Sequence, residues 1–460
     1  MTLSKKQTDK ALKNSIKDGA SYSAMDGITT TYSTPFALAL GASDAQVGIL
    51  NSISNLFVTI SQHFAGKYIE KRGGKNVAKS LSLIQKLIWI PIIFIPFFFV
   101  SQGVWMFIIL LTLANVVLSF ANTAWSSWMG NIVPENIRGS YFGKRNTIVS
   151  IFSFTTTLLA GWLLGLMQSL IGFSVVFFLA FIFGLISYFY LSRIPDASYN
   201  KIERKNKLDV FDSIKKFRRY SNFKPFATHM ALVSFAVNIS SPFFIVYMLN
   251  VMKIGYEWYG VVIASEILAR IVMQRYWGKL SDKFGDRTIM SLCNILIIFY
   301  PFFFLFATNV TQLIMISIFS GIAWSGFDLS TFNYLLDVTP PEKRPSYIAN
   351  YKVIVGIALF LGPLTGGFIS QYFSNSSFFW LSGLQILFLL SFILRGLTTA
   401  YGLPRIKEVR AQKILPVTDV FLKAFAVYPA RGITHELIYV ENKFEHWEDG
   451  IRKRLKKIEA

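Results

Sequence analysis

Five ionisable residues interrupt stretches that are otherwise strongly apolar: Asp26, Lys86, Glu266, Arg270 and Asp328. A charge at the centre of a bilayer costs about 2.5–3.5 kcal/mol on insertion scales, so a charge kept there faces a cavity, a partner or a ligand. Glu266 and Arg270 are four residues apart, on one face of a helix and close enough to pair. Counting back from Gly278, Glu266 sits about 18 Å from the nearer membrane surface. Paired, the two charges are cheaper to bury, and a solute or proton that separates them would drive a switch. Asp26 lies roughly 11 Å deep in its run, with Lys86 available as a salt-bridge partner. Asp328 is a third acid, with Asn333 below it. Lys86 and Arg395 are long enough to snorkel toward a membrane surface.

The elements that must position these residues are membrane spans. The chain has 460 residues, of which 53% are hydrophobic and 15% charged, with a mean hydropathy of +0.46. That composition is rare in a soluble domain and leaves room for about twelve spans of ~20 residues. The predicted fold is an all-α polytopic membrane protein of twelve helices in two six-helix bundles. Expected spans are 19–42, 45–65, 77–100, 104–132, 140–167 and 171–191, then 225–252, 256–277, 288–307, 312–336, 346–371 and 377–397. The domain reading is a tail at 1–18, a bundle at 19–191, a charged linker at 192–224, a second bundle at 225–402 and a basic tail at 403–460. In the last of these, Leu437, Val440, Phe444, Trp447, Ile451, Leu455 and Ile458 draw one apolar stripe along an amphipathic helix.

Lys and Arg number 46 against 25 Asp and Glu, a net charge of +21 that would suggest nucleic acid in a soluble chain. Here the excess lies in the connections after the even-numbered spans. This positive-inside pattern predicts cytoplasmic termini in the cell membrane and contact with lipid, not nucleic acid. The single cysteine, Cys293, excludes an intrachain disulfide and a thiolate metal cluster. His63 and His229 have no second ligand at metal spacing and read as hydrogen-bonded core or pore residues. No phosphate-cradling loop or hydrolytic motif is present. The expectation is therefore a carrier and not an enzyme, with no cofactor and no metal, acting as a monomer.

Two markers show a duplication. Gly66, Glu70, Lys71 and Gly73 recur about 212 residues later as Gly278, Asp282, Lys283 and Gly285, followed by Arg287. Proline-led turns carrying Arg138 and Arg344 lie about 206 residues apart. The first pattern, Gly, three residues, acid, base, any residue, Gly, resembles the loops between helices 2 and 3, and 8 and 9, of the major facilitator superfamily. Glu70 stands where that family usually has Asp. The resemblance implies two pseudo-symmetric bundles that rock about a midplane site, with these loops acting as gating latches and Arg138 and Arg344 marking inner-face turns. It also implies that Asp26, an acid in span one, is a protonation site, as in several proton-coupled sugar carriers of the superfamily.

Gly362, Pro363, Gly366 and Gly367 in span eleven resemble a signature of drug–proton antiporters, but that signature belongs in span five. They are read as a hinge. Asn51, Asn55, Asn115, Asn122 and Asn238 suit either a hydroxylated solute or hydrogen bonds between helices. The leading expectation is a proton-coupled secondary transporter of a small organic solute. Multidrug or metabolite efflux, a solute receptor signalling through the C-terminal tail, and a lipid flippase are the alternatives.

Overall fold

The computed structural model describes residues 4–99, 102–134, 137–196, 222–340, 344–373 and 382–409. The amphipathic stripe of the C-terminal tail, most of the 192–224 linker and the side chain of His63 lie outside the described residues. Described residues form helices and their connections, with no strand among them. The helices are α1 (Lys5–Ala39), α2 (Asp44–Arg72), α3 (Gly74–Leu87 continued by Trp89–Phe98), α4 (Gly103–Ile132), α5 (Arg138–Met167) and α6 (Leu170–Ser192). They continue as α7 (Phe223–Asn238, then Ser241–Val246 and a π-turn Tyr247–Val251), α8 (Tyr256–Phe284), α9 (Asp286–Phe304), α10 (Val310–Asp337), α11 (Arg344–Tyr372) and α12 (Gly383–Gly402).

Local chemistry sets the ends. Ser4, Ser43 and Ser382 each form a reciprocal capping box with a glutamine three residues on, at the starts of α1, α2 and α12. Ser169 and Asn309 cap α6 and α10 in the same sense, satisfying amide groups that no preceding turn can reach. Helix α1 begins at Lys5, well ahead of the expected edge at residue 19, so Asp18 lies inside a helix and is buried.

Among the described residues, nine helices are long and apolar enough to cross a membrane. The other three of the expected twelve, α1, α2 and α8, have 35, 29 and 29 residues, ample length for a span. Their hydropathy falls short because they carry polar and charged residues, Asp26 of α1 and Asn51 and Asn55 of α2 lining a cavity and Glu266 and Arg270 of α8 forming an ion pair. Outward faces present large side chains such as Phe98, Ile109, Leu166 and Leu397, each more than three-fifths exposed. That band would aggregate in water but matches hydrocarbon.

Packing repeats with a shift of six helices. In the first half α1 lies against α5 and α6, α2 against α4, and α3 against α4 and α6. In the second, α7 lies against α11 and α12, α8 against α10, and α9 against α10 and α12. Between the halves, α2 packs on α11 and α5 on α8, a pair of seams that the same shift interchanges. A single apolar core containing Phe36, Trp89, Phe107, Phe243, Phe304 and Phe388 joins the halves at the end away from Gly73 and Gly285. Toward those two glycines the core divides, with Ile69, Trp128 and Tyr141 in one cluster and Phe226, Trp277 and Phe284 in another.

Candidate functional site

Between the diverging cores the first half encloses two cavities along α1. One, of about 220 Å³, is walled by α1 to α4 and contains Asp26 among hydroxyl and amide side chains including Thr30, Asn51, Asn55, Gln85 and Asn115. The second, of about 370 Å³, contains Asp18, Asn122, Trp125, Arg145 and Ser187. Tyr22 borders both.

The hydroxyls of Tyr22 and Thr30 donate to Asp26 Oδ1 at 3.4 and 3.2 Å. These partners lie four residues either side of Asp26 on α1, so helix periodicity alone sets the contact. Lys86 does not pair with Asp26. Its ammonium donates to Ser82 Oγ at 2.7 Å and Ser82 O at 3.2 Å, lies 5.9 Å from the Tyr22 ring centre, and is only 1% exposed, so it does not snorkel.

In the second half, Arg270 bridges two acids. Its Nε meets Glu266 Oε1 at 3.2 Å and its Nη1 meets Asp328 Oδ2 at 2.9 Å, with the guanidinium 6.0 Å from the Trp324 ring centre. The pair expected within α8 is thus a triad reaching α10. Spacing along one helix reveals Glu266–Arg270, but Asp328 joins only because α8 packs on α10. Its carboxylate is 57% exposed, which leaves an oxygen free to meet a solute.

The two glycine-rich turns are shorter than expected. Glu70, Lys71, Asp282 and Lys283 belong to the last helical turns of α2 and α8, and one glycine joins each pair of helices. Gly73 (φ 84°, ψ 139°) and Gly285 (φ 87°, ψ 149°) share one left-handed conformation that side chains rarely adopt. Beside the second turn, Asp286 is fully buried and accepts from Ser281 Oγ and, at 3.1 Å, from Asn333 Nδ2. Asn333 therefore serves Asp286 and not Asp328. The backbone amide of Arg287 donates to Glu408 Oε2 at 3.2 Å, tying the chain after α12 to this turn.

Arg138 donates to Gly130 O at 3.1 Å, and Arg344 to Leu336 O at 3.2 Å. Each begins a helix and closes the end of the one before it, meeting carbonyls that have no later amide in their own helix.

A profile of the Major Facilitator Superfamily matches residues 19–269 and 230–430. The chain belongs to that family. An uncharacterized MFS-type transporter of Methanocaldococcus jannaschii is 24% identical over 346 residues, covering 73% of this chain and 85% of that protein. The quinolone resistance protein NorA of Staphylococcus aureus is 23% identical over 164 residues, 35% of this chain and 42% of NorA. Among solved structures, the nucleoside transporter NupG superposes with a TM-score of 0.66 at 14% identity, covering 87% of this chain and 98% of that one. A D-xylose–proton symporter superposes with a TM-score of 0.65 at 13% identity, covering 88% and 98%. At these identities the structures establish the fold alone.

In this MFS transporter the seams between halves are made by glycines. A Cβ on Gly48 of α2 would lie 2.9 Å from Gly367 Cα of α11, and one on Gly161 of α5 would lie 3.1 Å from Gly260 Cα of α8. Gly48 and Gly260 are related by the offset that relates Gly66 to Gly278, and Gly161 and Gly367 by the offset of Arg138 and Arg344. The seams are reinforced by Tyr259 OH donating to Thr31 O at 3.0 Å, Asn55 Nδ2 to Leu359 O at 3.3 Å, and Ser370 Oγ to Asp44.

The expected hinge in α11 is an unbroken helix through Pro363. The interruption lies in α7 at residues 239–240, pressed against Gly362 and Gly366, where any side chain would strike Asn238 or Ile239. Arg395 serves this break and does not snorkel. It is 2% exposed and donates to Val237 O at 3.4 Å, Ser240 Oγ at 3.1 Å, Ser391 Oγ at 3.1 Å and Ile297 O at 2.9 Å. Position in sequence placed it near a helix end, but the break in α7 and Pro301 of α9, which has no amide for Ile297 O, supply acceptors that make burial cheaper than reaching water. His229 is a core residue, 1% exposed, with Nε2 3.1 Å from Asn294 Nδ2.

Sequence reasoning missed Asp18, because it fell in the expected tail, and Arg145, because it fell in a basic turn. The signal for Asp18 was present: residues 18, 22 and 26 repeat every four positions along one face of α1.

Proposed function

We propose that this MFS transporter is a secondary active carrier that moves a small organic solute by alternating access, coupled to protons. In this reading the bundles at 19–191 and 225–402 rock about the cavity between them, and the state described here is closed at the face away from Gly73 and Gly285. With cytoplasmic termini in the cell membrane, as the distribution of Lys and Arg argues, it is the inward-facing state of a monomeric carrier. The turns at Gly66–Gly73 and Gly278–Arg287 then act as latches for the opposite state.

The observation that carries the reading is Asp26. It is an acid inside a mid-depth cavity, with hydroxyl partners and no base within ion-pair distance among the described residues. A change of access alters the hydration of a carboxyl so placed, which is the requirement for exchanging a proton between states. The Arg270 triad provides the second switchable element. The amides and hydroxyls around Asp26 favour a neutral or cationic, hydroxylated solute. Export of drugs is a second reading, supported by the similarity to the quinolone resistance protein NorA.

The test is a thermal-shift screen of purified protein against sugars, nucleosides, amino acids, organic acids and cationic drugs, followed by transport of each hit in proteoliposomes. A ligand at about 100 times its Kd stabilises by about 2.7 kcal/mol. Proton-driven accumulation of a hydroxylated hit that disappears in Asp26→Asn and Glu266→Gln supports the proposal. Unchanged pH dependence of transport in both variants overturns the assignment of these acids.

A further inference from the structure

The ladder of Asp18, Tyr22 and Asp26 on α1 has a buried cation opposite its middle rung. Asp18 and Asp26 stand in separate cavities, and Tyr22 of α1 and Leu118 of α4 form the wall those cavities share. Lys86 of α3 faces that wall, 5.9 Å from the Tyr22 ring centre, and forms no ion pair within 4.0 Å among the described residues. Its ammonium rests on Ser82, which borders the Asp18 cavity. An ammonium excluded from water to this degree needs a carboxylate to offset its desolvation, and α1 offers one on each side.

The surroundings of the two acids differ. Asp18 is 5% exposed and accepts from Ser187 Oγ of α6 at 2.7 Å; the charges facing it are Lys86 of α3 and Arg145 of α5. Arg145 is held there by Ser15 O at 3.3 Å and by the Trp125 ring at 4.4 Å. It crosses α1 above Gly19, where a Cβ would lie 2.5 Å from the guanidinium. Asp26 is faced by the Tyr22 phenol and Thr30 on its own helix and by Asn51, Gln85 and Asn115 from α2, α3 and α4, none of them charged. Asp18 therefore has two basic neighbours and Asp26 has none.

We propose that Asp18 and Asp26 compete for the ammonium of Lys86, and that this competition exchanges the proton of Asp26 against the lysine. With Lys86 on Ser82 beside Asp18, Asp26 is held as the neutral acid. When the lysine side chain turns past Tyr22, its ammonium neutralises Asp26, whose O–H bond breaks and releases one proton to water in the cavity. Asp18 meanwhile stays ionised beside Arg145. In the return step Asp26 takes one proton from water as the ammonium leaves, so one proton moves per swing and no other reactant is needed. This inference rests on Asp26 being the coupling acid, and adds Asp18 as the positioning residue that sets when its proton leaves.

Proton binding is read without a solute, as the charge displaced when proteoliposomes of the full-length protein on a solid-supported membrane receive a pH step. The wild-type signal has a half-maximal pH and is expected to vanish in Asp26→Asn. In Asp18→Asn, which frees the lysine for Asp26, the half-maximal pH falls by about one unit or more; in Lys86→Gln, which removes the competing cation, it rises by a similar amount. Ser82→Ala, which loosens the ammonium with no change of charge, lowers it, and Lys86→Arg restores a signal that Lys86→Gln displaces. A signal that survives Asp26→Asn overturns the reading of Asp26. A signal lost in Asp26→Asn but with an unmoved half-maximal pH in Asp18→Asn, Lys86→Gln and Ser82→Ala leaves Asp26 in place and overturns the competition.

Discussion

Gly48 and Gly367 meet across the seam between the halves, with room for no side chain: a Cβ on Gly367 would stand 3.0 Å from Gly48 Cα. Hydrogen-only side chains let α2 and α11 cross closely, and Gly161 and Gly260 do the same on α5 and α8.

Larger side chains at these crossings should therefore favour the opposite state. Gly48→Val and Gly161→Val, made separately, are expected to raise the alkylation rate of a cysteine at position 33, in the Asp26 cavity, from the seam side. The increase should be about tenfold for each ~1.4 kcal/mol of strain placed on the closed seam. Background labelling is low because Cys293 is fully buried. An unchanged rate with normal folding means the seams do not gate access.

The Arg270 triad is partly exposed, at 37% for Arg270 and 57% for Asp328, so its stabilising effect is screened. Asp328→Asn should cost no more than about 1 kcal/mol in thermal unfolding while cutting proton-driven transport severalfold in proteoliposomes. If the unfolding midpoint collapses instead, the triad is structural.

Arg395 presents the opposite case. Arg395→Met removes the donor from Ile297 O in a buried site, and a stranded carbonyl costs about 1–3 kcal/mol, whereas Val237 O keeps the Ser240 amide. A large loss of thermal stability is expected, with transport per folded molecule preserved. Arg395→Lys should recover part of it, since an ammonium reaches fewer acceptors at once.

The chain beyond α12 bears on where a tail deletion is informative. Ile406 is fully buried, Tyr334 OH donates to Lys407 O at 2.6 Å, and Glu408 accepts from the Arg287 amide. Truncation after residue 409 is expected to leave thermal stability and transport intact, whereas truncation after residue 401 should lower the unfolding temperature. Loss of a signalling output with intact transport after the truncation at residue 409 would revive the receptor reading.

What the sequence determined by itself was everything written in local composition and in repetition. Hydrocarbon demands long apolar runs with every backbone group bonded inside a helix, so the spans of α3 to α7 and α9 to α12 are legible as runs. The repeated glycine turns disclosed the duplication, and four-residue spacing disclosed the Glu266–Arg270 pair. Asp26 marked α1 as a helix that faces a cavity. The tertiary structure alone decided which distant residues meet: Asp328 with Arg270, Asp18 with Ser187, Arg395 with the break in α7, and Gly48 with Gly367. Those contacts join helices far apart in the chain, and their energies depend on burial and on acceptors freed by bends, which no single helix's periodicity contains.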